Sequence, residues 1–177
     1  DVPKESWDVI KEAYELVKDK KTEEIFQGKE TIIKGEGNTS DLLSLDHIPS
    51  IRAMIHKLLQ PLHKEWSGEE ITPSAVYGFR SYNKGAVLAQ HTDRPATHHI
   101  SSIIIVDKEL AGGKDWPLDI QDHNGNWHKV YAEVGQIILY ESAKLSHGRD
   151  EPFEGEFFRN FFVHYKLNNY EYTGNIR

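Results

Sequence analysis

The chain has 177 residues, none of them cysteine, and a formal net charge of -7. That length makes one ordinary domain able to bury roughly two-thirds of its unfolded surface. The missing thiols exclude a disulfide framework, thiolate catalysis and zinc-finger sites, and the negative charge argues against gripping a nucleic-acid backbone by bulk electrostatics. No apolar run nears the ~20 residues of a membrane span and no signal peptide is in view, so a cytoplasmic address is favoured and a membrane partner is not expected.

Residues 4–20 are predicted to form an amphipathic helix, with Trp7, Ile10, Tyr14 and Val17 at spacings of three and four. Residues 25–34 are expected to be an edge strand, and the Gly- and Asn-bearing stretch from Gly35 to about Asp46 a weakly structured loop. A second helix is predicted from Pro49 to Trp66, with Ile51, Met54, Leu58, Leu62 and Trp66 as its apolar face and Pro61 as a kink. His56 and His63 on that helix are read as surface histidines, because nothing completes a metal set around them.

From Ile71 the texture changes to short β runs. These are 75–82, 87–91, the buried run 100–106, 118–120, 127–131, 136–141 and 157–166, with Asp122 to Asn126 as a hairpin turn. Seven or eight strands after two helices predict an α+β, mainly β fold. It would be a double-stranded β-helix, a cupin-like jelly roll, with the helices bracing one outer face. The chain is taken as one domain, 1–177, with residues 1–70 as helical support and 71–168 as the jelly-roll core.

His91 and Asp93 end one of these strands two residues apart, so both side chains leave the same face of an extended backbone. An imidazole and a carboxylate side by side are two-thirds of the facial triad that holds non-haem Fe(II). In a jelly roll the third ligand must come from a distant, late strand. His147 is in the right place, six residues past the buried run ending at Glu141 and with 53 residues between it and Asp93.

With this pattern the segment from Tyr77 to Lys166 resembles the prolyl 4-hydroxylase group of 2-oxoglutarate- and Fe(II)-dependent dioxygenases. The matching residues are Tyr82 nine before the first histidine, His91-Thr92-Asp93, the Ala111-Gly112-Gly113 turn, Gly135 before an apolar strand, and His147 followed by Pro152 and Gly155. The resemblance implies His91, Asp93 and His147 as metal ligands and catalytic centre. It also implies Fe(II), 2-oxoglutarate and O2 as cofactors, with ascorbate as an accessory reductant. Oxidative decarboxylation of 2-oxoglutarate to succinate and CO2 would be coupled to C–H hydroxylation of a prolyl residue in a peptide or protein.

In that family a lysine or arginine about ten residues past the distal histidine holds the far carboxylate of 2-oxoglutarate; here that position is Phe157. Arg149 and Arg159 are the competing substitutes, with Arg80 more remote, and Tyr82 is expected to donate a hydrogen bond to the same molecule. His164 could instead touch the near carboxylate. It lies on the opposite face of the last strand from Arg159, so only one of the two can line the pocket. Arg94 and His98 are candidates for steadying Asp93, Trp116, Trp127 and Tyr140 for a substrate groove, and 35–47 and 107–116 for covering loops. Two alternatives stand beside this reading. One is a dioxygenase acting on another amino acid or a small molecule, the other a non-catalytic metal-binding jelly roll.

Overall fold

The computed structural model describes residues 1–24 and 32–169; the first part of the expected 25–34 strand lies outside them. In chain order the elements are α1 (Lys4–Val17), β1 (Thr22–Glu23), β2 (Ile33–Lys34), β3 (Ser40–Ser44), α2 (Pro49–Ser67), β4 (Ile71–Ala75) and β5 (Gly78–Asn83). They continue with β6 (Val87–His91), β7 (Ile100–Glu109), β8 (Leu118–Gln121), β9 (Trp127–Val130), β10 (Ile137–Tyr140), β11 (His147–Arg149) and β12 (Phe157–Leu167). No described helix is long and apolar enough to cross a membrane.

The strands form two antiparallel sheets. One runs β1-β3-β5-β12-β7-β10, with β4 also on β12, and the other runs β2-β6-β11-β8-β9. Their facing sides enclose a core that includes Tyr82, Leu88, Ile103, Ile105, Trp116, Leu118, Tyr140 and Phe158. The outer side of the larger sheet is covered by α1 and α2 through Ile10, Val17, Ile55, Leu59, Phe79, Ile104, Phe161 and Tyr165. This is the expected double-stranded β-helix braced by helices on one face. Strand β7 is buried on both sides from Ile100 to Val106, which is why its sequence is a continuous apolar run rather than an alternation.

Three local expectations are corrected. The supposed loop before Asp46 contains β3, held between β1 and β5. Its polar flanks hide the strand, and its proximity to β5 depends on Gly78, where a Cβ would sit 2.2 Å from the Leu43 carbonyl oxygen. Strands β1, β2 and β3 all precede residue 70, so both sheets draw on the supposed helical support region.

The third correction concerns α2. Its packing face is turned from the predicted one: Met54 and Trp66 are about half exposed, while Ile55, His56, Leu59 and His63 are buried. A stripe at steps of four residues wins because Tyr165 needs polar company. Its hydroxyl donates to the His56 carbonyl at 2.8 Å, and the His63 ring lies 4.5 Å from its own.

His63 therefore sits in the core. Its Nδ1–H donates to the Leu59 carbonyl at 2.8 Å, and Nε2 is buried without a partner. Burial pulls its pKa from 6.5 down to about 4. A histidine depressed in this way stabilises the fold fully above its unfolded pKa, and that contribution drains away as pH falls from 6.5 towards 4. Urea unfolding of His63→Leu should lose roughly 3 kcal/mol less than the parent between pH 7.5 and pH 4. Equal losses in the two proteins would show that another group carries the acid sensitivity.

Candidate metal centre

His91 closes β6 and His147 opens β11, and the antiparallel register sets the two residues directly opposite each other. Asp93 follows one turn of backbone later, fixed by its N–H donating to the Ser142 carbonyl at 2.8 Å. The ligand atoms of the three side chains lie within 4.8 Å of one another. Asp93 Oδ1 is 3.6 Å from His91 Nε2 and 3.9 Å from His147 Nε2.

Both rings are oriented in the same way. His91 Nδ1 is 2.8 Å from the Ala89 carbonyl and His147 Nδ1 is 2.9 Å from the Leu145 carbonyl. A carbonyl only accepts, so each Nδ1 carries the hydrogen and each Nε2 lone pair is left to face the gap, as metal-bound histidines require. The strand contact itself depends on Gly148. A Cβ there would meet the Leu88 carbonyl oxygen at 2.6 Å and the Gln90 nitrogen at 3.0 Å.

The charges suit a divalent ion. Burial pushes the Asp93 carboxyl up, but attraction to His91, His147 and His164 outweighs it and holds the group at about 2. His147 is pushed down by burial and is a neutral donor. Two imidazoles and one carboxylate on one face match the open-sided set that non-haem Fe(II) takes.

Beside the triad, the space between the sheets holds polar groups with unmet bonding capacity. Arg149 is 1% exposed, two residues along β11 from His147. Its guanidinium lies 4.7 Å from the Trp116 and Phe158 ring centroids and donates to the Trp116 carbonyl. Its Nε has no acceptor, and no carboxylate pairs with it among the described residues. Burial lowers its pKa to about 10. Tyr82 Oη and both amide atoms of Asn160 are likewise buried without a well-formed hydrogen bond. These donors fit a dicarboxylate such as 2-oxoglutarate, whose far end needs a buried cation.

The other predicted site residues separate by strand parity. Phe158 and Phe162 point into the space between the sheets, and His164 shares their face; Phe161, Val163 and Tyr165 point towards the helices. Arg159 belongs to the helix side. It donates to the Tyr14 hydroxyl, lies 3.4 Å from Asp107 and from Ser81, and so ties α1 to the sheet. Arg80 faces inward in a two-pronged pair with Glu24, at 2.7 and 2.9 Å. His164 Nδ1 is 3.9 Å from Asp93 Oδ2, and its ring centroid is 3.9 Å from that of His98. Burial pulls its pKa down to about 3.

Trp116 and Tyr140 are core residues, and Trp127 lies exposed on β9. Asp107 to Glu109 of the expected covering loop belong to β7. Sequence reasoning missed Ser101, Ser142 and the half-exposed Tyr77 stacked on His98. Two consecutive serines inside the run Ile100 to Val106 were the available signal.

Neither a family model nor a curated protein matches the sequence. Solved structures do match in shape. A prolyl hydroxylase from Trichoplax adhaerens, in complex with a hypoxia inducible factor oxygen degradation domain peptide fragment, aligns with TM-score 0.65 and 9% identity over 92% of this chain and 79% of that one. A Pseudomonas putida prolyl-4-hydroxylase aligns at 0.61 and 15% over 92% and 86%. The fold is that of the 2-oxoglutarate/Fe(II) oxygenases. An oxidoreductase of the 2OG-Fe(II) oxygenase family from Burkholderia pseudomallei agrees, at 0.52 and 12% over 78% and 67%. At these identities the likeness is one of fold alone.

Gly148 gives this candidate metal centre a sharp test. Gly148→Ala must part β6 from β11, costing roughly 1–3 kcal/mol in stability and weakening Mn2+ binding by about tenfold or more. Unchanged Mn2+ affinity by titration calorimetry would show that the strand contact does not set the triad.

Proposed function

We propose that the protein is a 2-oxoglutarate- and Fe(II)-dependent dioxygenase that hydroxylates prolyl residues in peptides or proteins. The observation that carries this reading is Arg149, a fully buried guanidinium without a carboxylate, placed two residues from His147. Two strand residues span roughly 7 Å, a distance suited to a short dicarboxylate held by metal at one end and guanidinium at the other.

His91, Asp93 and His147 would hold the iron, and Arg149 with Tyr82 would hold the far carboxylate of 2-oxoglutarate. Together, when bound, iron and 2-oxoglutarate supply the oxidising chemistry: one oxygen atom of O2 goes to succinate, with loss of CO2, and the other to the substrate C–H. The chain's own part is to orient and to exclude water. Trp116 and Phe158 flank the guanidinium, each ring centroid 4.7 Å from it, so its pairing with a carboxylate takes place away from bulk solvent, where it is strongest. Asn160 offers both a donor and an acceptor to whatever fills the space. Arg159 is not needed for this, since its partners are Tyr14, Asp107 and Ser81.

The prolyl part of the proposal rests on the sequence resemblance and on the two prolyl hydroxylases of like fold. The Tyr77–His98 stack, 6.3 Å between centroids and nearly parallel, gives the site a flat aromatic rim on which a pyrrolidine ring can lie. Ascorbate as accessory reductant and a cytoplasmic setting belong to the same proposal, the latter favoured by the cysteine-free composition. Nucleic acid is a poor substrate for a chain of net charge -7.

Succinate release from 2-oxoglutarate by the Fe(II)-loaded protein, lost in His91→Ala, is the first expected result. Its absence under anaerobic iron loading would leave a non-catalytic metal-binding jelly roll. Mass spectrometry of a proline-rich peptide library should show +16 products that require 2-oxoglutarate; products on other residues would redirect the substrate. Arg149→Met should raise the KM for 2-oxoglutarate about 100-fold, the worth of a two-pronged charged pair. Arg159→Met should leave that KM within about twofold and lower Tm instead. The reverse ranking would move the anchor to Arg159.

A further inference from the structure

Two serines with no place in the proposed chemistry are completely buried beside the metal centre. Ser101 lies on β7 and Ser142 follows β10, each 0% exposed. Three contacts join them to their surroundings. His164 Nδ1 is 2.7 Å from Ser101 Oγ, Ser101 Oγ is 2.6 Å from Ser142 Oγ, and Ser142 Oγ is 2.8 Å from the His98 carbonyl. A buried hydroxyl is costly unless it is bonded, so these positions are poorly explained by packing alone.

Counting hydrogens gives the chain one direction. The His98 carbonyl can only accept, so the single Ser142 hydrogen goes there. Ser142 must then accept from Ser101, which uses the single Ser101 hydrogen. Ser101 is left to accept, and the only donor remaining is His164 Nδ1–H. The serines therefore fix the tautomer of His164, with the hydrogen on Nδ1, 3.9 Å from Asp93 Oδ2, and the lone pair on Nε2.

Ser142 has a second hold. Its own carbonyl accepts the Asp93 N–H at 2.8 Å while its hydroxyl bonds the His98 carbonyl. One residue thus grips the loop from Asp93 to His98 at both ends. Within the loop the Thr97 and His98 N–H groups close back on the Arg94 carbonyl at 3.1 and 2.9 Å, making it a compact unit.

We propose that Ser142, acting with Ser101, is a positioning residue. It clasps the Asp93–His98 loop and, through Ser101, fixes the His164 ring, whose Nδ1 lies 3.9 Å from Asp93 Oδ2, so that loop and ring together hold the carboxylate in its metal-binding pose. Neither serine touches the metal or substrate. The proposal rests on the metal-centre reading, and its consequences are readable without turnover.

Long-range 1H–15N correlation on the apo protein at neutral pH reads the His164 tautomer directly, with His164→Gln to assign the ring. The expected pattern is a protonated Nδ1 and an unprotonated Nε2; an unprotonated Nδ1 overturns the proposal. Ser101→Ala should scramble that tautomer. Ser142→Ala should weaken Mn2+ binding about tenfold, the usual scale for groups that orient metal ligands, and Ser142→Thr, which keeps the hydroxyl, should recover most of it. Parent-like Mn2+ affinity in a folded Ser142→Ala protein overturns the clasp. Failure of the parent itself to bind Mn2+ or Fe2+ would instead remove the metal-centre reading beneath it, so the two failures are distinguishable.

Discussion

The centre depends on one strand contact, β11 against β6. It sets His147 opposite His91 although 55 residues separate them in the chain, and it does so at a backbone separation that only glycine at 148 permits. The same contact carries Arg149 inward two residues later. A register slip of one residue would turn both His147 and Arg149 out of the space between the sheets, removing a metal ligand and the buried cation together. The triad and the buried guanidinium are therefore one structural unit rather than two neighbouring features.

The long strand β12 divides the rest of the molecule. Its inner face carries Phe158, Asn160, Phe162 and His164 towards the centre, and its outer face carries Arg159, Phe161, Val163 and Tyr165 towards the helices. The alternation was legible in the sequence, as was the fact that Arg159 and His164 could not both face inward. What the sequence could not supply was the sign of the alternation. That is fixed by α1, whose Tyr14 and the Asp107 carboxylate give Arg159 a full set of partners on the outside. The same tertiary cause turned α2, where Tyr165 rather than helical periodicity chose the buried histidines.

His91, Asp93 and His147 were readable because a two-residue spacing on a strand and a late histidine survive any uncertainty in register. Arg149 was readable only as one alternative, since its claim depends on β11 being short and buried throughout. Strand β3 was lost because its burial comes from neighbours on both sides, which leaves little mark on a sequence as polar as Ser40-Asp41-Leu42-Leu43-Ser44. Ser101 and Ser142 lie on different strands or turns and acquire meaning only through a bond between them.

The polar interior has two halves with opposite energetics. Around Asp93 the bonds are complete: Ser101, Ser142, His164 and the His98 carbonyl satisfy one another, and such a network holds one geometry. Around Arg149 they are incomplete, with both amide atoms of Asn160 and the guanidinium Nε short of a partner, at a cost of about 1–3 kcal/mol for a group left unbonded. Rigidity belongs where a metal ion demands fixed ligand positions, and unmet capacity belongs where a molecule must be taken up and released. A ligand that met those groups would regain that cost and, by binding the folded chain alone, would stabilise the fold by mass action. The affinity of the proposed anion subsite and the stability of the sheet pair around it would thus be coupled through the same few atoms.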